Sequence, residues 1–247
     1  MVTGASRGIG YGVARAFSLH GATVHILARG DEIHDVAGKL AEESGRAVTG
    51  WSCDITDGTR VREVFSQLPA IDVFVANAGL EAVTPITDES SEAETLFRRV
   101  IDINVIGTYL TTRAAVPLMR SGGRILISSS IWGTTAEPAL GAYIASKHAN
   151  IGFMRVLAKE LGPRGIRVNA VCPGWIMTGP ALETLKKMAR DRGVAESVVA
   201  EEISASQSLP GLQSIEDVAV SYLCLASPLA ANITGQKLNV DRGAVQG

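Results

Sequence analysis

The chain lacks the features that mark several protein classes. It has only three cysteines, Cys53, Cys172 and Cys224. They are scattered, odd in number and set in mostly apolar or strand-like surroundings. That argues against a disulfide framework or a metal site and for reduced thiols in a cytosol. No apolar run reaches membrane-spanning length. No charged N-terminal segment precedes a long apolar core, so no signal peptide is expected. There is no basic block to suggest nucleic acid and no acidic tail to suggest disorder. The 23 Lys and Arg and 25 Asp and Glu are interspersed and sum to −2. These absences predict a soluble cytoplasmic protein with no metal, no nucleic-acid partner and no membrane anchor. What is present, 46% hydrophobic and 19% charged residues, is ordinary for a sizeable core.

Short β-rich runs alternate with longer helical patterns. Residues 23–28, 47–52, 71–76, 123–130, 166–171 and 236–240 read as strands, and 9–19, 31–44, 57–68, 93–119, 142–161 and 215–226 as amphipathic helices. Apolar runs without polar alternation mean strands buried on both faces, as in parallel sheets. The alternation predicts an α/β, doubly wound fold with right-handed crossovers and no linker, one domain over 1–247. The interruption at about 178–210 is helical in composition and falls after a strand, where an insertion is well placed to cover a site; a plain surface hairpin is the other reading. Only Met1 and Val2 precede the first turn, where a central strand normally has about five residues. Either numbering begins inside a longer chain or the first strand is very short.

The stretch "TGASRGIG" (3–10) follows that strand and opens a helix. Glycines here allow positive φ and close approach of backbone N–H groups to a phosphate, and the helix N-terminus adds its positive dipole end. An acidic residue about twenty positions on, at the end of the second strand, would bind an adenosine ribose and favour NAD. This chain has "LARGD", with Ala28 in that place and Arg29 next to it. Arg29 and Arg7 would favour NADP(H) through charge-assisted contacts to a 2′-phosphate. A modest shift of Asp31 toward the ribose would restore NAD(H), the alternative.

The stretch "YIASKHAN" (143–150) places Tyr143 and Lys147 four apart, on one face of a helix. Alone the pair is weak, because a surface lysine lying over a tyrosine ring reads the same. It occurs, however, in one order with "TGASRGIG", "NAG" (77–79), "DINVIG" (102–107), "SSSIWG" (128–133) and "PGWIMT" (173–178). The set resembles the short-chain dehydrogenases/reductases over essentially the whole chain. The resemblance implies a Rossmann-like, seven-stranded parallel sheet with helices on both faces, nicotinamide-dependent interconversion of a carbonyl and an alcohol, and a homotetramer built through helices 93–119 and 142–161. Small residues Ala114, Ala115, Ala149 and Gly152 would permit close approach there.

Carried onto this chain, the resemblance implies catalytic roles for Ser130, Tyr143, Lys147 and Asn104. Ser130 is favoured among three consecutive serines by its spacing to Gly133 and Tyr143, with Ser128 as fallback. Asn104 would hold a water that relays protons from Lys147. Implied cofactor contacts are Gly4, Ser6, Arg7, Gly8, Ile9, Gly10, Arg29, Asp54, Ile55, Asn77, Ala78, Gly79, Tyr143, Lys147, Pro173, Gly174, Ile176 and Thr178. Asp54 reads equally as a helix N-cap, and Val75 and Trp51 as core.

The chemistry accounts for the pair at 143 and 147. Reducing a carbonyl creates an alkoxide that needs a proton, and a cation near tyrosine lowers a pKa that is otherwise near 10. Ser130 would hold the substrate oxygen. Trp132 and Trp175, with Ser130 and Tyr143, would line the substrate site and suit an apolar or aromatic small-molecule carbonyl or alcohol; packing of the tryptophans against the insertion or an interface is the competing reading. Glu81, Glu137 and Leu140 lie nearby in sequence. A 3-oxoacyl thioester is the alternative substrate, without a basic cluster for a carrier protein. A methyltransferase would leave Ser130, Tyr143 and Lys147 unexplained, and a non-catalytic cofactor-binding regulator would tend to lose them.

Overall fold

The computed structural model describes residues 1–246. Seven parallel strands form one sheet in the order β3-β2-β1-β4-β5-β6-β7: β1 (Val2–Thr3), β2 (Val24–Ala28), β3 (Val48–Ser52), β4 (Ile71–Ala76), β5 (Met119–Ser128), β6 (Arg167–Pro173) and β7 (Lys237–Val240). Strand residues alternate between the two helical layers. Phe74, Ile125 and Ile127 face one side, with Val61, Phe65, Met154 and Leu157. Val75 and Leu126 face the other, with Val13, Ile33, Leu40 and Tyr222. The first layer includes α3 (Gly58–Ser66), α5 (Thr108–Ala115) and α6 (Gly141–Leu161); the second consists of α1 (Gly8–Leu19), α2 (Glu32–Ser44) and α9 (Ile215–Ala226). Burial on both faces is why the strands read as continuous apolar runs. The strand order reverses between β1 and β4, the switch point at which open parallel sheets bind ligands. β1 needs only two residues because it lies between β2 and β4, with Val2 in register with both Ile26 and Val75.

The helix expected over 93–119 is not continuous. α4 (Ser91–Ile101) passes into a π-helical segment at Asp102–Gly107, then α5, then a 3-10 turn ending at Leu118. One extra residue per turn in such a segment turns side chains inward, and Asn104 is fully buried there. Strand β5 accordingly starts at Met119. A register shift between Ile71 and Val73 and a positive φ at Gly122 absorb the added residues. The strand ends at Ser128, so Ser129 and Ser130 lie beyond it. Residues 178–210 contain α7 (Gly179–Arg192) and α8 (Glu196–Ala205), packed on each other through Leu185, Ala189 and Val199. Among the described residues no helix is long and apolar enough to cross a membrane, and no cluster of His, Cys, Asp or Glu could hold a metal ion.

Candidate active site

A cleft of about 670 Å³ runs along the C-terminal ends of the strands. Its floor is the turn after β1. Gly4 and Gly8 both have positive φ, 67° and 59°. A Cβ on Gly4 would lie 2.6 Å from the Cα of Ala78, so "TGASRGIG" packs against the backbone of "NAG" only with glycine at position 4. α1 begins at Gly8 without a side-chain cap, leaving its first N–H groups facing the cleft. Gly10 stands behind the turn. Its Cβ would meet the Gly4 carbonyl oxygen at 2.3 Å and Asn77 Nδ2 at 2.4 Å, so its glycine serves packing and not ligand approach.

At one end of the cleft lie Arg7, Arg29 and Arg99 with Asp54 and Ile55. Among the described residues neither Arg7 nor Arg29 is in an ion pair. Asp54 does not cap a helix; Asp57 caps α3, accepting from the N–H groups of Thr59 and Arg60. Asp54 instead accepts from Thr56 N and Oγ1 at 2.9 and 2.7 Å and from Arg99 Nη2 at 3.4 Å. Burial raises its pKa, but the Thr56 hydrogen bonds and the Arg99 charge outweigh this and leave it below the usual range. Asp31, at the start of α2, does not line the cleft; a second acid beside Asp54 does. It is Glu32, whose carboxylate folds over Gly30 and lines the cleft. Nothing local marks Glu32 or Arg99 for this role; the bend at Gly30 and the packing of α4 bring them in.

At the other end the three serines take three different tasks. Ser128 Oγ donates to Asn77 Oδ1 at 3.0 Å and shares a 2.6 Å hydrogen bond with the Tyr222 hydroxyl, so it is committed and is no substitute for Ser130. Ser129 Oγ donates to the Lys147 carbonyl at 3.0 Å and pins the turn to α6. Ser130 Oγ accepts from Trp132 N at 3.2 Å and lies near enough to the Tyr143 phenol to pull its pKa down. The Lys147 ammonium, 5.3 Å from the Tyr143 ring centroid, donates to the Ser128 carbonyl at 2.9 Å. Asn104 reaches the same cluster indirectly. It accepts from Leu80 N at 2.7 Å and donates to the Leu80 carbonyl and to Ser146 Oγ, both at 2.9 Å. Ser146, inside the "YIASK" stretch itself, donates to the Tyr143 carbonyl at 2.6 Å.

Burial depresses the Lys147 pKa to about 8, opposed by the Glu81 carboxylate. The Tyr143 phenol is pushed up, first by burial and then by Glu81, with Ser130 pulling it down. This differs from a phenol lowered by its lysine: burial and the Glu81 charge raise it, and the Ser130 hydroxyl is what opposes them.

Trp132 stands edge-on to Tyr143 with ring centroids 6.2 Å apart. Trp175 packs against the α7–α8 hairpin core instead. Ile176 is buried in the core with α1, α2 and α9, and Gly174 abuts Asp241. Of the "PGWIMT" stretch, Pro173 and Thr178 line the cleft.

The enoyl-(acyl carrier protein) reductase family pattern matches residues 4–245. The chain belongs to the short-chain dehydrogenase/reductase family. Among its relatives in this family, D-beta-hydroxybutyrate dehydrogenase of Rhizobium meliloti is 31% identical over 98% of this chain and 96% of its own. A short-chain dehydrogenase/reductase of Armillaria gallica is 34% identical over 99% and 95%. The solved structure of L-sorbose reductase from Gluconobacter frateurii, complexed with NADPH and L-sorbose, superposes with a TM-score of 0.90 at 28% identity, covering 100% of this chain and 95% of that one. An actinorhodin polyketide ketoreductase solved with NADPH gives 0.89 at 29% identity, covering 98% and 95%. As a member of this family the chain is an NAD(P)-dependent oxidoreductase acting on CH–OH and C=O groups.

Proposed function

We propose that this chain reduces a ketone or aldehyde with NADPH, Tyr143 being the proton donor. The observation that carries the reading is that Tyr143, with Ser130 beside its phenol, and Lys147 line the same cleft as Arg7 and Arg29. The cleft fits a dinucleotide: a turn that positive φ at Gly4 and Gly8 shapes against the cleft, an uncapped helix N-terminus, and cations beyond it. Gly4, Ser6, Gly8, Ile9 and the start of α1 would hold the pyrophosphate. Asp54, Ile55 and Asn77–Gly79 would hold the adenosine, and Lys147, Pro173 and Thr178 the nicotinamide end. When bound, the cofactor supplies the hydride. Ser130 fixes the substrate oxygen, the neutral Tyr143 phenol gives that oxygen its proton, and Lys147 stabilises the phenolate left behind. Asn104 fixes the Leu80 backbone and, through Ser146, the first turn of α6.

NADPH and NADP bound to related structures support the cofactor reading. The hairpin at 178–210 springs from Thr178 at the cleft edge and acts as a lid. Trp132 gives the substrate site one aromatic wall, which suits an apolar or aromatic substituent. A fluorescence titration with NADPH, followed by a panel of ketones and aldehydes, tests the reading. Absence of both binding and turnover would overturn it.

The pH dependence follows from Lys147. Its charged form prevails below about pH 8 and is lost as pH rises through that value. The kcat/KM for reduction is therefore expected to fall above pH 8, and the same limb should vanish in Lys147→Met. A profile flat from pH 7 to 9 would contradict this.

A homotetramer belongs to the same proposal. Phe97, Ile106, Tyr109 and Val156 are exposed along α4 to α6, and a Cβ on Gly152 would meet nothing within 4 Å. Ala115, by contrast, is fully buried in the core and is not available to an interface. Light scattering at micromolar concentration should give the mass of four chains; a monomer mass would count against it.

A further inference from the structure

Glu81 has no part in the chemistry above, yet it lines the cleft beside Tyr143 and Lys147. Its backbone is held from both sides, while its side chain is exposed. Leu80 is clamped by two hydrogen bonds to the buried Asn104, at 2.7 and 2.9 Å. Three residues beyond Glu81, Thr84 N donates to the Ala139 carbonyl at 2.6 Å, and Thr84 Oγ1 accepts from Ala142 N at 3.0 Å. The short span 81–83 thus bridges from Asn104 to the first turn of α6, the turn that carries Tyr143. Among the described residues the Glu81 carboxylate has neither a hydrogen bond nor an ion pair.

The charge balance at this end is simple. Glu81 and Lys147 are its charged groups, while Arg7, Arg29 and Arg99 lie at the far end. The Lys147 ammonium is buried and already donates to Ser128. On the lid, Lys186, Lys187 and Arg192 pair with Glu183, Asp191 and Glu202, and Arg190, which has no ion pair among the described residues, is exposed and does not line the cleft. A substrate carboxylate near the reacting carbon would therefore meet Glu81 with no cation set aside for it. Like charges in a partly desolvated cleft repel, whereas a carboxylate acceptor there rewards a hydroxyl donor.

We propose that Glu81 is a specificity-determining residue: it accepts a hydrogen bond from a hydroxyl adjacent to the reacting carbonyl, selecting neutral hydroxyketones and excluding oxoacids. This rests on the oxidoreductase reading above. Three ketones that differ at one substituent test it: 2-hydroxyacetophenone, acetophenone and phenylglyoxylate, whose shared ring suits the wall at Trp132. With NADPH, the kcat/KM of the native enzyme should favour 2-hydroxyacetophenone over phenylglyoxylate at least a hundredfold. Glu81→Gln should cut that ratio at least tenfold by admitting the anion, and Glu81→Ala should also remove the preference for 2-hydroxyacetophenone over acetophenone. Calorimetric binding of 2-hydroxyacetophenone and phenylglyoxylate to the NADP-loaded protein reads the same discrimination without turnover. A native enzyme that binds both equally or neither, or a ratio unchanged in Glu81→Gln, would overturn the proposal. Failure to turn over any of the three ketones would instead count against the oxidoreductase reading, with the binding ratios still reporting on Glu81.

Discussion

Tyr143→Phe is expected to bind NADPH nearly as the native enzyme does while losing turnover by about 10²- to 10⁴-fold, the range that general acid–base catalysis supplies. The ring stays in place, edge-on to Trp132, and only the hydroxyl is lost. The buried phenol is held above its ordinary range and is therefore neutral at neutral pH, as a donor must be. The Lys147 ammonium keeps its hydrogen bond to the Ser128 carbonyl whether or not the phenol is present, so the cofactor end of the cleft should not collapse. Steady-state kinetics together with an NADPH titration separate the two effects. Loss of kcat with an unchanged cofactor Kd identifies an interaction made in the transition state. Turnover within a few fold of native would remove Tyr143 from the mechanism.

The second large effect concerns cofactor choice. The kcat/KM with NADPH should exceed that with NADH by about ten- to hundredfold, because hydrogen bonds between charged groups are worth about 1.5–3 kcal/mol each. Both Arg7 and Arg29 are exposed, and solvent screening draws the figure toward the lower end. Arg29→Ala should raise the KM for NADPH and leave that for NADH nearly unchanged. Glu32→Gln should move the ratio the other way, since the carboxylate folded over Gly30 repels a 2′-phosphate and would accept from a ribose diol. Equal values for the two cofactors in the native enzyme would refute the arginine argument. If Glu32→Gln then created an NADPH preference, Glu32 would stand as the dominant group and the chain as NAD-dependent.

The glycine turn, the strand–helix alternation and the Tyr143–Lys147 pair are legible in the sequence because each depends on local geometry. Positive φ at Gly4 and Gly8 needs glycine, burial on both faces leaves continuous apolar strands, and a four-residue spacing on a helix fixes which side chains share a face. The tertiary structure decided what depends on residues distant in the chain. Spacing favours Ser130, but the fallback Ser128 is removed only in three dimensions, where it meets Tyr222, 94 positions away, and Asn77. Asn104 is turned inward by a π-helical segment, which a helix-period pattern over 93–119 does not reveal. Trp175 and Ile176 leave the site because the α7–α8 hairpin and the core beneath it have apolar surface to cover. The pKa of the phenol rises where a neighbouring lysine alone would lower it, since desolvation is a property of the assembled site and Glu81 arrives from another loop. Sequence spacing determined which groups could act together; packing determined which of them face the same cleft and with what charge.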